Sequence, residues 1–268
     1  MIKLKDRMIA ALIVYLILLL LLFVFQRKIQ YLPLGKTRDV ASYNLKGFTA
    51  EILTTDDDIN ILSWYKKPSN NNNKIILYFH GNAGNLGDRS HKFATFSKGG
   101  FGIMGVSYRG YSGSDGSPSE SGLMLDAKAA LAFLLKEGYT TNNIILYGES
   151  LGSGVVMKLA KEHNFASLIL ESPFSSIISV AKRSYWFVPV SLMLKDRFES
   201  IKYAHKVRSP VLIIHGLKDR VVPYEEGLNL YNAIIAKKKM VSVESAGHLE
   251  FDDIFLLKEI KEFLEKEA

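Results

Sequence analysis

The sequence predicts an α/β fold, in which a mostly parallel sheet is covered by helices on both faces. Short runs rich in β-branched residues and leucine alternate with longer helix-like segments from about residue 74 onward. These runs are apolar throughout, as expected of strands that are buried on both faces. The chain has 268 residues, 48% of them hydrophobic, which is enough to bury one large core.

An uncharged apolar segment at residues 8–25 precedes this region. At about 1.5 Å per residue it would form a helix of about 27 Å, close to the hydrocarbon thickness of a bilayer. It has no polar stripe of the kind that a buried helix of a soluble protein carries. A cleaved signal peptide is the alternative, but the run is long for one and ends in FVFQRK, which offers no small-residue cleavage site. The sequence therefore predicts an uncleaved membrane anchor over residues 1–25.

Basic residues flank the predicted anchor on both sides, so the positive-inside rule is nearly balanced. They are Lys3, Lys5 and Arg7 before the segment, and Arg27, Lys28, Lys36 and Arg38 after it. With the amino terminus counted, we expect a single-pass membrane protein whose N-terminus is cytoplasmic and whose larger domain is extracytoplasmic.

Composition excludes several kinds of site. The chain has no cysteine, which rules out a disulfide framework, a thiolate metal site and a cysteine nucleophile. The net charge is +7, but the basic residues are scattered, so nucleic-acid binding is not predicted. The excess of positive charge is interpreted as a solvated lysine-rich surface, with attraction to anionic lipid headgroups as the alternative. The apolar segment has no G-x-x-x-G face, and the oligomeric state stays open.

The elements that follow the anchor can be assigned in order. A juxtamembrane linker at 26–45 leads into one domain at 46–268. Its predicted strands lie at 48–53, 59–65, 74–79, 102–107, 144–147, 167–170, 211–215 and 240–243. Its predicted helices lie at 87–98, 119–137, 151–161, 224–235 and 252–267, with a polar loop at 69–73. A short cap is expected at about 172–209, and Ser117 and Pro118 are expected to start the helix that follows them.

Polar residues stand directly after four of the predicted strands. The carboxyl ends of strands carry the active site in open parallel sheets. Ser150 follows one strand within GESLG, a G-x-S-x-G sequence whose sharp turn presents the serine hydroxyl above the sheet. Asp219 and His248 each follow a later strand, and the small-residue loop HGNAGN, which contains Asn82, follows an earlier one.

Each of these residues has a simpler interpretation when it is considered alone. Ser150 could cap a helix, Asp219 could sit in a turn, and His248 could lie on a surface loop. Together they stand in the order nucleophile, acid, base, each after its own strand, which predicts a catalytic triad. No nucleotide cofactor or metal is expected. A Walker sequence is absent, and the one G-x-G-x-x-G, at 100–105, overlaps the start of a strand instead of following one.

At these residues the chain resembles the α/β-hydrolase superfamily, and within it the Bem46-like branch of the α/β-hydrolase domain-containing 13 and 17 proteins. The matching sequences are HGNAGN at 80–85, YRGYSGS at 108–114, GSPSE at 116–120, YGESLG at 147–152, LESPF at 170–174, HG at 215–216 with Asp219, and GH at 247–248. Ser112 and Ser153 stand where this branch often has glycine. The branch often carries a single N-terminal membrane anchor. The resemblance implies a serine hydrolase, and some members act on acyl groups of lipids or lipidated proteins.

The expected chemistry is acyl transfer to water. Ser150 attacks the carbonyl, His248 moves the proton, and Asp219 orients the imidazole. The oxyanion is expected to bind the backbone N–H groups of Leu151 and Asn82; whether the Asn82 side chain also contributes is left open. We expect an acyl ester or thioester of a lipid or acyl chain as substrate. An amidase or peptidase with the same triad, and a non-catalytic membrane-anchored binding protein, are the alternatives.

Overall fold

The computed structural model describes residues 4–69 and 73–267. It confirms the predicted fold class, because eight strands form one mostly parallel sheet with helices on both faces. Lys3, on the N-terminal side of the apolar segment, and most of the polar loop predicted at 69–73 lie outside the described residues.

The described elements follow the predicted order. The strands are β1 (Thr49–Thr54), β2 (Asn60–Lys66), β3 (Ile75–Phe79), β4 (Gly102–Val106), β5 (Ile144–Glu149), β6 (Ser167–Glu171), β7 (Val211–Gly216) and β8 (Lys238–Val243). The helices are α1 (Leu4–Gln30), α2 (Ser90–Lys98), α3 (Glu120–Lys136), α4 (Leu151–Ala160), α5 (Ile177–Ser184), α6 (Val190–Met193), α7 (Tyr224–Ala233) and α8 (Asp253–Glu267). The helix predicted at 87–98 is divided, because a 3-10 turn at Leu86–Arg89 precedes α2.

The strand order across the sheet is β1-β2-β4-β3-β5-β6-β7-β8. The pairs β1–β2 and β2–β4 are antiparallel, and all other neighbours are parallel. From β3 the chain first adds β4 on one side and then β5 on the other. The order therefore reverses between β3 and β5, and ligands of open α/β sheets bind at such a reversal.

Apolar side chains fill both faces of the sheet. Val155 of α4 and Leu230 of α7 belong to the core layer on one face, together with residues of α3. Phe93 of α2 and Ile260 of α8 belong to the layer on the other face. Every residue of β3 is buried between the two layers. This double burial explains why the central strands are continuous apolar runs in the sequence.

The start of α3 differs from the prediction. Ser119 caps this helix, not Ser117: its Oγ accepts a hydrogen bond from the N–H of Gly122 at 3.0 Å. Ser119 has the extended backbone of an N-cap residue, which brings its hydroxyl over the first turn. Pro118 lies before the cap and packs against Gly110, whose φ of +76° and lack of a Cβ allow the close approach.

Helix α1 continues past residue 25 to Gln30. Within the described part of the chain it is the helix long and apolar enough to cross a membrane, with a mean hydropathy of 3.2. Leu19, Leu22, Gln26 and Gln30 are its half-buried residues, and their spacing of three or four puts them on one face. That face rests on the domain. Beyond the helix, the segment at 31–45 continues along the domain, with Tyr31 buried.

Candidate active site

Ser150 lies in the sharp turn between β5 and α4. Its backbone has φ 49° and ψ −110°, a conformation that a residue with a side chain adopts only under strain. The flanking glycines make the turn possible: a Cβ on Gly148 would lie 2.7 Å from the backbone of Ser153, and one on Gly152 would overlap the carbonyl of Phe79. Ser150 occupies the N-cap position of α4, but its hydroxyl caps no helix N–H. The simpler interpretation of Ser150 as a helix cap is therefore wrong.

The structure brings Ser150, His248 and Asp219 together from three loops. Nε2 of His248 lies 3.1 Å from Oγ of Ser150. Nδ1 of the same ring lies 2.7 Å from Oδ2 of Asp219. The serine follows β5, the aspartate follows β7 and the histidine follows β8, so all three reach the same edge of the sheet. Ser150 and Asp219 are buried, and His248 is half-buried.

Asp219 is held as an ionised hydrogen-bond acceptor. Its Oδ1 accepts from the backbone N–H groups of Val221 and Val222, at 2.9 and 2.8 Å. Burial raises the pKa of the carboxyl, but hydrogen bonds from His215 and His248 outweigh it and hold the pKa below its usual range. A carboxylate at this position requires a proton on Nδ1 of His248, so in the neutral imidazole Nε2 is the acceptor that faces Ser150.

His215 is a site residue that the sequence did not reveal. In the sequence it stands out only as part of the HG pair at 215–216. The structure places its Nε2 2.9 Å from the carbonyl oxygen of Val222 and 3.4 Å from Oδ2 of Asp219. His215 therefore fixes the loop of Asp219 and also contacts the carboxylate itself. Its spacing of four from Asp219 is a signal that could have suggested this contact.

Leu151 and Asn82 lie beside Ser150 because they follow adjacent strands, β5 and β3. The backbone oxygen of Asn82 accepts from the N–H of Leu32 at 3.0 Å and from the hydroxyl of Tyr111 at 2.7 Å. Its side-chain Nδ2 donates to the carbonyl of Gln30 at 3.1 Å. Among the described residues, the backbone N–H groups of Leu151 and Asn82 have no acceptor. Two backbone donors are thus free next to the serine.

A buried ionic cluster supports the turn from below. Glu149, the residue before the serine, accepts from Arg89 at 2.6 Å, and Glu171 accepts from Lys92 at 2.6 and 2.7 Å. Lys92 also lies 3.7 Å from Glu149, and each carboxylate accepts from a buried tyrosine hydroxyl. Burial raises the pKa of Glu149, but Lys92 and Arg89 outweigh it and hold that pKa below its usual range. Each glutamate is 60 or 79 residues from its basic partner in the sequence, which gives no sign of the cluster.

A cavity of about 410 Å³ lies over Ser150. Its floor includes Asn82, Leu151 and the serine, and its cap wall comes from α5, α6 and the chain between them. A further wall is formed by α1, through Leu22 and Phe23 among others. The sequence predicted an anchor at this position but not a wall of the cleft, because a helix that is apolar all round does not reveal which face is covered.

Known proteins resemble this chain over most of its length. A model of the prolyl oligopeptidase family matches residues 121–261. An uncharacterised protein of Mycobacterium tuberculosis is 32% identical over 248 residues, which cover 91% of this chain and 88% of the relative. The human α/β-hydrolase domain-containing protein 17B is 34% identical over 217 residues, which cover 77% of this chain and 72% of the relative. The chain belongs to the α/β-hydrolase superfamily.

A solved structure has the same fold as this α/β hydrolase. The esterase of Pyrococcus furiosus superposes with a TM-score of 0.72 and 19% sequence identity, over 88% of this chain and 98% of the esterase. At that identity the likeness speaks for the fold alone. The family match and the relatives make the protein a hydrolase of the α/β fold.

Proposed function

We propose that this protein is a membrane-anchored serine hydrolase that cleaves an acyl ester or thioester through an acyl-enzyme. The observation that carries the proposal is the hydrogen-bonded chain from Ser150 through His248 to Asp219. Oγ of Ser150 attacks the acyl carbonyl while Nε2 of His248 takes the hydroxyl proton. The imidazolium then gives this proton to the leaving group, and Asp219 stabilises its charge. Water then attacks the acyl-enzyme by the same proton transfers through His248, and the acid is released.

The negative charge on the tetrahedral intermediate requires donors that point at it. In this proposal the backbone N–H groups of Leu151 and Asn82 supply them, supported by their position beside Ser150 after the adjacent strands β5 and β3. The loss of one such donor typically costs about 3–4 kcal/mol of transition-state stabilisation. The side-chain amide of Asn82 is engaged with Gln30, so in this proposal it does not bind the oxyanion.

A lipid or acyl-chain substrate is favoured by the walls of the cavity. Apolar side chains from α1 and the cap, among them Leu22, Phe23, Val188 and Met193, face the space over Ser150. An acyl chain buried against these walls would hold the ester at the polar floor. In the proposed arrangement α1 crosses the membrane, with its N-terminus in the cytoplasm and the hydrolase domain on the other side.

A peptidase or amidase activity is the second candidate, because the family model that matches residues 121–261 is that of prolyl oligopeptidases. Esters and amides of the same acyl group, assayed in parallel, distinguish the two. A faster amide reaction would make the protein an amidase. A non-catalytic binding protein is disfavoured by the intact hydrogen-bonded chain at Ser150.

Labelling by a fluorophosphonate tests the nucleophile. The full-length protein in detergent should be labelled, and Ser150→Ala should not be. Ser153→Ala is the matched control: this buried serine lies in the same turn and donates to the backbone oxygen of Ser150 at 2.6 Å, but it does not face His248. Labelling of Ser150→Ala at the wild-type level would show that the nucleophile is another residue.

A chain-length series of p-nitrophenyl esters tests the substrate class. We expect kcat/KM to rise as the acyl chain lengthens, because each buried methylene contributes about 0.8 kcal/mol. A clear preference for the acetate would exclude the acyl-chain substrate while leaving the serine hydrolase assignment intact.

A further inference from the structure

The cap and α1 are joined at two levels along the helix. At the upper level, the hydroxyl of Tyr15 donates to the backbone carbonyl of Phe187 at 2.7 Å. At the lower level, Arg27 pairs with Asp196 at 2.7 Å, and the N–H of Lys195 donates to the side chain of Gln26 at 2.7 Å. The chain of the cap between residues 187 and 196 therefore runs beside α1, from the level of Tyr15 near the middle of the helix to the level of Arg27 near its C-terminal end.

The distance between these levels matters if α1 crosses a bilayer. From Tyr15 to the end of the uncharged segment at Phe25 the helix rises about 15 Å, at about 1.5 Å per residue. That rise is half of a hydrocarbon core of about 30 Å. A tilt of about 40°, at the upper end of the observed range, still leaves about 12 Å. The backbone of Phe187 is thus at the depth of the hydrocarbon whenever α1 spans it.

The composition of the cap fits that depth. Residues 184–194 carry no charge, and Arg183 and Lys195 bracket them. Trp186 and Leu192 are 83% and 84% exposed, although both are large and apolar. At the lower end of the run, Nζ of Lys195 lies 4.3 Å from the ring centre of Phe23, a cation–π contact between the cap and α1. We name residues 184–194 the apolar cap loop.

Most carbonyl groups of the apolar cap loop are also hydrogen-bonded within the protein. A polar backbone group exposed to lipid costs several kcal/mol, so non-helical chain at this depth must find its partners in protein. Arg197 donates to two carbonyls of the loop, Gln26 to one and Tyr15 to another, and turns within the loop supply the rest of the bonds. The carbonyls that accept are those of Tyr185, Phe187, Val188, Pro189, Val190, Ser191, Met193 and Leu194.

We propose that the apolar cap loop is inserted in the bilayer leaflet next to α1, and that an acyl chain passes from this leaflet to Ser150 between the loop and the helix. The inference rests on the proposed function for the second step. It extends that function because the elements with lipid-facing surface also line the cavity: Leu22 and Phe23 from the helix, Val188 and Met193 from the loop. An acyl chain that leaves the leaflet along this seam reaches the serine without crossing water.

Tryptophan fluorescence tests the insertion independently of any activity. The chain has two tryptophans: Trp64 is 1% exposed in the core, and Trp186 lies in the apolar cap loop. The full-length protein is reconstituted in phosphatidylcholine vesicles, with and without bromine on the acyl chains. The emission of Trp186 is taken from the variant Trp64→Phe and, should that core change disturb folding, from the difference between wild type and Trp186→Phe.

We expect the brominated lipid to quench the Trp186 emission at least about twofold, and iodide in the water to leave it nearly unchanged. Quenching by iodide without quenching by the brominated lipid would place the loop in water and overturn the proposal. Quenching by neither would mean that protein covers the tryptophan, which also overturns it. Trp186→Phe, which retains only the core Trp64, should respond to neither quencher.

Hydrolysis of two substrates tests the lateral path. A long-chain fluorogenic ester embedded in vesicles is compared with a short-chain ester in solution, for Leu192→Asp and for the control Ile254→Asp. Ile254 is also a large exposed apolar residue, 71% exposed against 84% for Leu192, and it lies at the start of α8. The ratio of vesicle to soluble turnover should fall about tenfold for Leu192→Asp, because a carboxylate is costly in hydrocarbon, and stay unchanged for the control.

The outcomes separate this inference from the proposed function. An unchanged ratio in Leu192→Asp, with fluorophosphonate labelling intact, overturns the lateral path and leaves the serine hydrolase in place. If the fluorophosphonate does not label the wild-type protein, the proposed function is refuted. Quenching of Trp186 by brominated lipid would in that case still support insertion of the loop.

Discussion

The side-chain amide of Asn82 donates a hydrogen bond to the backbone carbonyl of Gln30, 3.1 Å away. Gln30 is the last residue of α1, and Asn82 lies on the loop that follows β3 beside Ser150. The next residues reinforce the connection, since the N–H of Leu32 donates to the carbonyl of Asn82 at 3.0 Å. The end of the apolar helix therefore fixes the position of the loop next to the serine.

The first prediction concerns this connection. Asn82→Ala keeps the backbone N–H but removes the bond to Gln30, so we expect kcat for a soluble ester to fall about tenfold. The expected loss is smaller than the 10²- to 10³-fold that removal of a direct oxyanion donor causes. Steady-state kinetics and the rate of fluorophosphonate labelling measure it. A loss as large as that of a direct donor would mean that the side chain itself binds the oxyanion.

The second prediction concerns the close approach at the turn. Gly152→Ala would force a Cβ into the backbone carbonyl of Phe79, which no rotamer change can relieve. We expect loss of fluorophosphonate labelling and a lower thermal midpoint. Gly138→Ala is the control, because Gly138 has φ +92° but open space around it, so only backbone strain of about 1–3 kcal/mol follows. Wild-type labelling of Gly152→Ala would contradict the proposed packing of the turn.

The third prediction concerns Asp219. Asp219→Asn should lower kcat about 10⁴-fold, because an amide at this position favours the wrong tautomer of His248; the size is that known for serine proteases. The pKa of this carboxyl is held below its usual range, so its protonation should not affect the pH–rate profile above about pH 4. Kinetics of both proteins between pH 5 and pH 9 check both statements. A variant that retains a tenth of the wild-type rate would remove Asp219 from the mechanism.

The fourth prediction concerns the buried ionic cluster. Lys92→Met leaves Glu171 buried without its cation and should cost about 3–5 kcal/mol in the free energy of unfolding. The double variant Lys92→Met/Glu171→Gln removes the charge on both sides and should recover most of that loss. Denaturant titrations of the full-length protein in detergent compare the three proteins. Equal destabilisation by the single and double changes would show that the ion pair itself is not what matters.

The fifth prediction concerns pH and the buried His80. Burial, and after it the charge of Arg89, lowers the pKa of His80 from 6.5 to about 4. Between these values the unfolded chain binds a proton that the folded protein does not. The contribution of His80 to the free energy of unfolding is therefore complete above pH 6.5. It falls by about 3 kcal/mol as the pH falls from 6.5 to about 4. The free energy of unfolding of His80→Asn should depend less on pH over this interval; an equal dependence would assign it to other groups.

The fold and the position of the site could be predicted because both depend on local sequence. Each central strand is a short apolar run, and Ser150, Asp219 and His248 stand in the segments that follow β5, β7 and β8. Parallel strands bring these positions to one edge without any knowledge of side-chain contacts. The roles assigned to the three residues remain predictions that the proposed experiments test.

What the sequence did not reveal depends on contacts between distant segments. Lys92 and Glu171 form part of one buried cluster, but nothing near either residue indicates its partner. Ser117 and Ser119 are both suitable caps by type; Ser119 caps α3, and Pro118 between them packs against Gly110. The covered face of α1 was equally invisible, because the partners of Gln26 lie in the cap.

The ion pair between Arg27 and Asp196 has a practical consequence for work with a shortened protein. Asp196 is buried, and α1 carries the arginine that neutralises it. A soluble version that begins after residue 30 would leave this carboxylate without its cation. It would also remove the hydrogen bond from Asn82 to Gln30 and open one side of the cleft. Its substrate preference would then reflect a cleft with a missing side, so kinetic surveys of the hydrolase call for the full-length chain in detergent or vesicles.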